Sequence, residues 1–246
     1  MARQTRTVTV ARKEAVSPNM MRVTLTGDAL QDFPVGFDGG YVKLNLVDSS
    51  GKPAVRSYSI RSFSPAAREL NLDMVAHGDT GPATAWAQHS RPGDEVAISG
   101  PGACQGINTA ADWFLLAGDM SALPAISVNL AQLPPDAKGY AVLEVMSEAD
   151  RLSLAAPPGL EIIWIINPDP ESPNTRLEDT VMSLPWHEGS VAVWVAGEFS
   201  ASRTLRQYFR TEKGVPKTHT YISCYWKVGD TDEGMKAAKR ADPEPW

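Results

Sequence analysis

Residues 55–62 read Val-Arg-Ser-Tyr-Ser-Ile-Arg-Ser, and the reading of this stretch decides the first half of the chain. Polar and larger residues alternate at period two, with no helical spacing of apolar positions, which argues for a strand. Alternation puts Arg56 and Tyr58 on one face and Ser57 and Ser59 on the other, unless a bulge intervenes. Five further segments carry the same rhythm: TRTVTVAR at 5–12, MMRVTLT at 20–26, YVKLNLV at 41–47, ELNLDMVA at 69–76 and EVAISG at 95–100. Turn formers separate them, among them Asp28, Pro34, Gly39, Gly51, Pro65 and Gly93. Short strands without a long helix predict an all-β, six-stranded antiparallel barrel, because closure removes exposed edges. One helical segment, PATAWAQHS at 82–90, opens on Gly81-Pro82, where proline's missing N–H is no loss.

After about residue 110 the rhythm changes. WFLLAG (113–118), YAVLEV (140–145), EIIWII (161–166), VAVWVAG (191–197) and THTYISCYW (218–226) are near-continuous apolar runs. Such runs are expected of parallel strands covered on both faces. Helical patterns lie between them at 121–133, 176–184 and 200–214, and Ser121 and Ser200 stand where N-caps are expected. Strand–helix alternation predicts an α/β parallel-sheet domain with right-handed crossovers. A linker near Gly102–Asp112 divides the chain, giving expected domains at 1–108 and 109–246.

Composition narrows the function. At 246 residues the chain is long enough for two domains, and 43% hydrophobic content supplies their cores. A net charge of -6 argues against a nucleic-acid binder, although the stretch Lys227 to Arg240 is comparatively basic. No apolar run approaches the roughly 20 residues that a membrane helix needs. The start, MARQTRTVTV, lacks the apolar core of a secretory signal. Cys104 and Cys224 are too few and too far apart for a metal or cluster site and read as buried free thiols. A cytoplasmic location and a monomer are the expectations that follow. His77, His89, His187 and His219 show no ligand spacing, and GxSxG, CxxC and HExxH are absent.

Four segments have residue types suited to binding chemistry, and each also has a plain structural reading. Arg56 can form charge-assisted bonds to a pyrophosphate, Tyr58 can lay its ring on a flat heterocycle, and Ser57, Ser59 and Ile60 flank them. The plain alternative is a strand with its arginines in solvent. His77-Gly78-Asp79-Thr80-Gly81-Pro82-Ala83-Thr84 is a glycine-bearing turn into a helix N-terminus, a natural anion site, or simply a connecting helix with Trp86 in the core. Gly118-Asp119 and Gly197-Glu198 are strand-to-helix turns at carboxyl ends of strands, where open α/β sheets bind ligands, or merely tight turns. Neither is GxGxxG, so the dinucleotide fingerprint is absent. Tyr225 and Trp226 would cover a flat ring or pack in a core. Lys227, Lys236, Lys239 and Arg240 form a solvated face or an electrostatic funnel for an acidic substrate.

In this order, RSYSIRSF, HGDTGPATAWA with RPGDEVAISGPG, GDMSALPAI, VAGEFSASRTLR and YISCYWKVG resemble the siderophore-interacting protein family, a branch of the ferredoxin-reductase-like flavoproteins. The resemblance covers nearly the whole chain. It implies an FAD-binding barrel at 1–108 and an NAD(P)H-binding α/β domain at 109–246. It also implies reduction of iron(III) held by a siderophore, with electrons from a nicotinamide nucleotide or, in some members, a ferredoxin. By position, Arg56, Ser57, Tyr58, Ser59 and Ile60 resemble the flavin-binding triplet and its flanks. His77, Asp79, Gly81, Pro82, Ala83 and Thr84 resemble the phosphate-contacting turn. Gly118, Asp119, Gly197, Glu198, Tyr225 and Trp226 fall where the family receives the nicotinamide nucleotide; nothing near the final strand is a clear 2′-phosphate site, and Arg203 and Arg206 are the candidates for one. Lys227, Lys236 and Lys239 match basic residues implicated in gripping an anionic ferric siderophore. Cys224 departs from the pattern, since glycine is frequent there. A flavin reductase with another acceptor and a non-catalytic siderophore-binding flavoprotein are the rival readings.

Overall fold

The alternating segments become six strands: β1 (Thr5–Ser17), β2 (Met20–Thr26), β3 (Tyr41–Val47), β4 (Pro53–Ser64), β5 (Glu69–Val75) and β6 (Glu95–Gly102). They pair antiparallel in the order β1-β2-β5-β4-β3-β6 and close into a barrel. The computed structural model describes residues 4–76, 81–103, 105–244 and 246, and the chain divides into two units, Met1–Gln105 and Gly106–Trp246. Among the described residues no helix is long and apolar enough to cross a membrane.

Along the barrel strands alternate residues are mostly apolar and turned inward. Val42 and Leu44 of β3, Leu70 and Leu72 of β5, and Val96 and Ile98 of β6 are all buried in one cluster. Helix α1 (Pro82–His89) joins that cluster through Ala83 and Ala87, with Trp86 packed against it. It touches β3 and β5, the two strands that flank β4. Its last carbonyls are held from β1: Lys13 Nζ donates to Ala87 O at 2.8 Å and to Gln88 O at 2.9 Å. A cation at a helix C-terminus satisfies orphan carbonyls and complements the helix dipole. Desolvation there lowers the Lys13 ammonium pKa.

The second unit is a five-stranded parallel sheet of β7 (Trp113–Gly118), β8 (Lys138–Val145), β9 (Gly159–Ile166), β10 (Val191–Glu198) and β11 (Thr220–Trp226). Its order is β11-β10-β7-β8-β9, so the winding direction reverses between β7 and β10. Ligands of such sheets bind outside the strand carboxyl ends at this reversal. Helices α2 (Leu123–Ala131), α3 (Arg176–Ser183) and α4 (Phe199–Gln207) follow β7, β9 and β10, and α4 runs on into a π-helical turn, Tyr208–Glu212. Every residue of β7 is buried, as a central strand covered on both faces requires.

Two expectations about this unit need correcting. The serines do not cap their helices. Ser121 instead donates to Asp119, and α4 is capped by Glu198, whose side chain accepts from the amides of Ser200 and Ala201. A carboxylate makes stronger, charge-assisted bonds to those amides than a hydroxyl does, and it displaces the serine. The basic stretch after residue 227 is also more than a solvated tail. It forms a further helix, α5 (Asp232–Ala241), whose Met235 is buried beside Phe199 and Cys224. Its end is fastened to α4 by Arg206, only 1% exposed, whose Nη2 donates to Asp242 at 2.9 Å and whose guanidinium lies 4.1 Å from the Trp246 ring centre.

Where β10 meets β11 the ladder slips. Gly197 pairs with Cys224, but the next residue, Glu198, pairs with Trp226, so Tyr225 is skipped. Cys224 therefore points to Met235, with the two sulfurs 3.6 Å apart, while the Trp226 indole is used elsewhere. The departure from glycine at Cys224 is filled by this contact. Cys224 is a buried free thiol whose pKa burial raises, and Cys104 lies outside the described residues.

Candidate functional site

In the barrel unit, β4 carries its side chains as alternation requires. Arg56 stands opposite Leu44 and Tyr58 opposite Val42, while Ser57 faces Lys43 and Ser59 faces Tyr41. Tyr58 packs against the core cluster that also takes Ala83, Ala87 and Trp86 of α1. The strand and the helix therefore meet one set of apolar side chains. Burial pushes the Tyr58 phenol up to about 12, so it stays a neutral hydroxyl.

Among the described residues, several polar groups here have few protein partners. Among the described residues, the Arg56 guanidinium donates only to its neighbour's carbonyl, Val55 O, at 3.0 Å, and it forms no ion pair. The Tyr58 hydroxyl has no hydrogen-bond partner among them either. Among the described residues no side chain caps the first turn of α1, and a Cβ built on Gly81 would meet nothing nearer than Thr84 Oγ1 at 3.9 Å. A guanidinium without an ion pair, an aromatic ring and a helix start without a side-chain cap, each so among the described residues, fit a ligand with a phosphate and a flat ring. Gly81, Pro82, Ala83 and Thr84 form that helix start. Ser57 is exposed and Ser59 is buried. Ile60 is not available: its side chain is in the core, and its amide and carbonyl are bonded to Gly40 O and Gly39 N, both at 2.8 Å. His77 and Asp79 lie outside the described residues.

In the sheet unit, the strand ends converge on Asp119, which is buried. Its Oδ1 accepts from Ser121 N at 2.8 Å and Ser121 Oγ at 2.5 Å, and its Oδ2 accepts from Glu198 N at 2.8 Å and Trp226 Nε1 at 2.7 Å. Four donors fill the acceptor capacity of one carboxylate, so Asp119 ties β7, β10 and β11 together and has little left for a nucleotide. Burial nevertheless raises its pKa, against the effect of those bonds. Gly197, at φ +149°, makes the arrangement possible, because a Cβ there would lie 2.6 Å from Asp119 Oδ2. Gly118 is held against the Ala196 carbonyl in the same way. Glu198 is also committed, through the α4 cap and through Val228 N at 3.2 Å.

A small, open pocket lies at these strand ends, lined by Asp119, Glu144, Glu178, Glu198, Asn174 and Trp226 among others. Tyr225 is not part of the lining, whereas Trp226 is. Glu144 and Glu178 escaped the sequence reading. Glu144 carried a signal, as the one charged residue in the run YAVLEV, whereas Glu178 looks like an ordinary acid in a helix's first turn. Glu144 accepts from Asn167 Nδ2 at 2.9 Å. Burial raises the pKa of both.

The expected siderophore-gripping lysines are largely engaged. Lys227 pairs with Asp230 at 2.7 Å, Lys236 pairs with Asp232, and Lys239 lies 5.1 Å from the Trp246 ring centre, with its Nζ 3.5 Å from Cys224 O. Arg203 approaches Asp242 at 3.5 Å and Arg206 is buried, so neither is an open partner for a 2′-phosphate.

Two family models match this sequence. The one described as a siderophore-interacting FAD-binding domain covers residues 9–54 and 47–105, and the one described as siderophore-interacting protein covers 111–229. Ferric vibriobactin reductase ViuB of Vibrio cholerae is 33% identical over 242 residues, spanning 90% of this chain and 89% of that protein. The crystal structure of the siderophore-interacting protein SipS from Aeromonas hydrophila superposes with a TM-score of 0.85 at 33% identity, covering 97% of each chain. The likeness in fold extends to ferredoxin-NADP+ reductase from Plasmodium falciparum, with a TM-score of 0.65 at 14% identity over 89% of this chain and 95% of that one.

Proposed function

The chain belongs to the siderophore-interacting protein family, and from that premise we propose that it is an FAD-dependent reductase passing electrons from a reduced nicotinamide nucleotide to iron(III) held by a siderophore. The barrel unit is the proposed FAD holder and the parallel-sheet unit the proposed nucleotide binder. One observation carries the reading: Tyr58 of β4 and Ala83 in the first turn of α1 pack on one barrel cluster, and among the described residues the helix start has no side-chain cap and Arg56, two residues before Tyr58, has no ion pair. A guanidinium, free helical amides and an aromatic ring are what a flavin dinucleotide needs.

Bound FAD would link a two-electron donor to a one-electron ferric acceptor. The residues supply binding and orientation. Arg56 and the first amides of α1 neutralise and hydrogen-bond a phosphate, and Tyr58 offers its ring face while its high pKa keeps it uncharged. Ser57 and Ser59, on the other face of β4, are the further polar candidates toward the flavin. Iron(II) is a poorer partner for hard oxygen ligands than iron(III), so reduction loosens the chelate without a protein acid or base. A ferric siderophore as acceptor is supported by the similarity to ferric vibriobactin reductase. Lys227 and Lys236 are proposed contacts for an anionic chelate, weakened by their ion pairs. Lys239 is set beside Trp246 and contributes chiefly through packing.

The test is a visible spectrum of the purified protein. FAD bands should be present or taken up, should bleach on addition of NADH or NADPH, and should return on addition of a ferric chelate as iron(II) appears. A colourless protein that takes up no FAD would overturn the whole reading. Flavin that bleaches and then ignores every ferric chelate would overturn the acceptor alone.

A further inference from the structure

Four carboxylates line the pocket at the ends of β7 and β10. Three have donors: Asp119 has four, Glu198 caps α4, and Glu144 accepts from Asn167. Glu178 differs. It is only 4% exposed, and among the described residues its carboxylate has no hydrogen-bond donor beyond its own backbone amide. A buried carboxylate with so few donors is costly, and a ligand that brings O–H groups relieves that cost.

The chemistry of the ligand follows by elimination. A metal ion is not indicated, because among the described residues no three acidic, histidine or cysteine groups are placed to hold one. A phosphate would meet negative charge on several sides, and no lysine or arginine belongs to the described lining. The nearest basic neighbour in sequence, Arg176, donates to Ile166 O at 2.8 Å, and Arg203 and Arg206 are held at Asp242. A ribose diol offers what is missing: two uncharged O–H donors. In open parallel sheets an acidic residue accepts from a free ribose 2′-hydroxyl, whereas an arginine accommodates a 2′-phosphate.

Building on the proposed docking of a nicotinamide nucleotide to this unit, we infer that Glu178, with Glu144 lining the same pocket, accepts from the unphosphorylated ribose of NADH and selects against NADPH. The pyrophosphate is common to both nucleotides and cancels in the comparison, so discrimination rests on the 2′-phosphate alone. Burial raises the pKa of both Glu144 and Glu178, with the charge of Arg176 opposing the rise at Glu144 alone.

Isothermal titration of the flavin-loaded protein with NAD+ and with NADP+ tests this without turnover. NAD+ should bind at least about tenfold more tightly. Glu178→Gln, checked for folding by circular dichroism, should narrow that ratio about threefold or more by admitting NADP+, and adding Glu144→Gln should narrow it further. Equal or tighter binding of NADP+ by the wild-type protein would overturn the inference while leaving nucleotide docking intact. A ratio unmoved in both variants would overturn the role of these glutamates. Binding of neither nucleotide would remove the docking proposal and this inference with it.

Discussion

The first turn of α1 and the first turn of α4 begin with the same shortage of acceptors and end in opposite states. At α1 the start is Gly81-Pro82, and among the described residues no side chain caps it and Arg56 has no ion pair. At α4 the Glu198 carboxylate covers the amides, and next to it Asp119 takes four donors. Donors left open in the barrel suit the proposed phosphate of the flavin dinucleotide. Filled acceptors in the sheet mark a junction that holds strand ends together. The same residue types thus have different meanings, and the difference lies in whether the protein has already satisfied them.

Substitutions can break or sharpen this contrast. Asp119→Ala should have the largest effect, because it orphans donors from β7, β10 and β11; a loss of about 3–5 kcal/mol in urea unfolding is expected. A loss below about 1 kcal/mol would mean that Asp119 is free for a ligand after all. Arg56→Ala should do the reverse. FAD retention measured by fluorescence should weaken by about 1.5–3 kcal/mol, roughly ten- to hundredfold, with little change in the unfolding of the apoprotein. Lys13→Met leaves the α1 carbonyls at Ala87 and Gln88 without their cation and should cost about 1 kcal/mol in thermal unfolding, with a few-fold loss of FAD affinity. Unchanged flavin affinity would detach the seating of α1 from cofactor binding.

The smallest effect sharpens the contrast inside the sheet unit, where Glu178, alone of the four carboxylates lining the pocket, has no donor among the described residues beyond its own amide. Its native pKa is raised above the ordinary 4.5 by burial. Its contribution to stability is therefore full below about 4.5 and is lost as pH rises through the raised native value. Glu178→Gln removes that loss, so the variant should be the more stable at pH 7, by about 1 kcal/mol or less, with the advantage disappearing toward pH 4.5. Parallel melting curves over that range would show it, and a constant offset would contradict a buried, unpaired carboxylate.

Local pattern was enough for the barrel and the parallel sheet. Period-two segments such as YVKLNLV and unbroken runs such as WFLLAG announce how many faces each strand buries. The spacing of Arg56 and Tyr58 likewise fixed their shared face, as the pairing with Leu44 and Val42 shows. Partnerships across long separations were not legible. Nothing near Asp119 in sequence announces Trp226, 107 residues away, and nothing near Arg206 announces Asp242. The serine caps were misread for the same reason in miniature: a hydroxyl looks sufficient until a carboxylate two residues earlier, Asp119 or Glu198, reaches the same amides first. The acidic pocket draws on residues from 119 to 228, which only the winding of the sheet brings together.

The slip at Tyr225 acts like a frameshift written into a strand. Residues two apart normally look the same way, so Cys224 and Trp226 would be bound to a common fate. One added position releases them: the thiol serves the helix that closes the chain, and the indole serves the mouth of the sheet. Deleting Tyr225 would restore an unbroken ladder yet deprive one of those two neighbourhoods of its side chain, so greater regularity here would make a poorer protein.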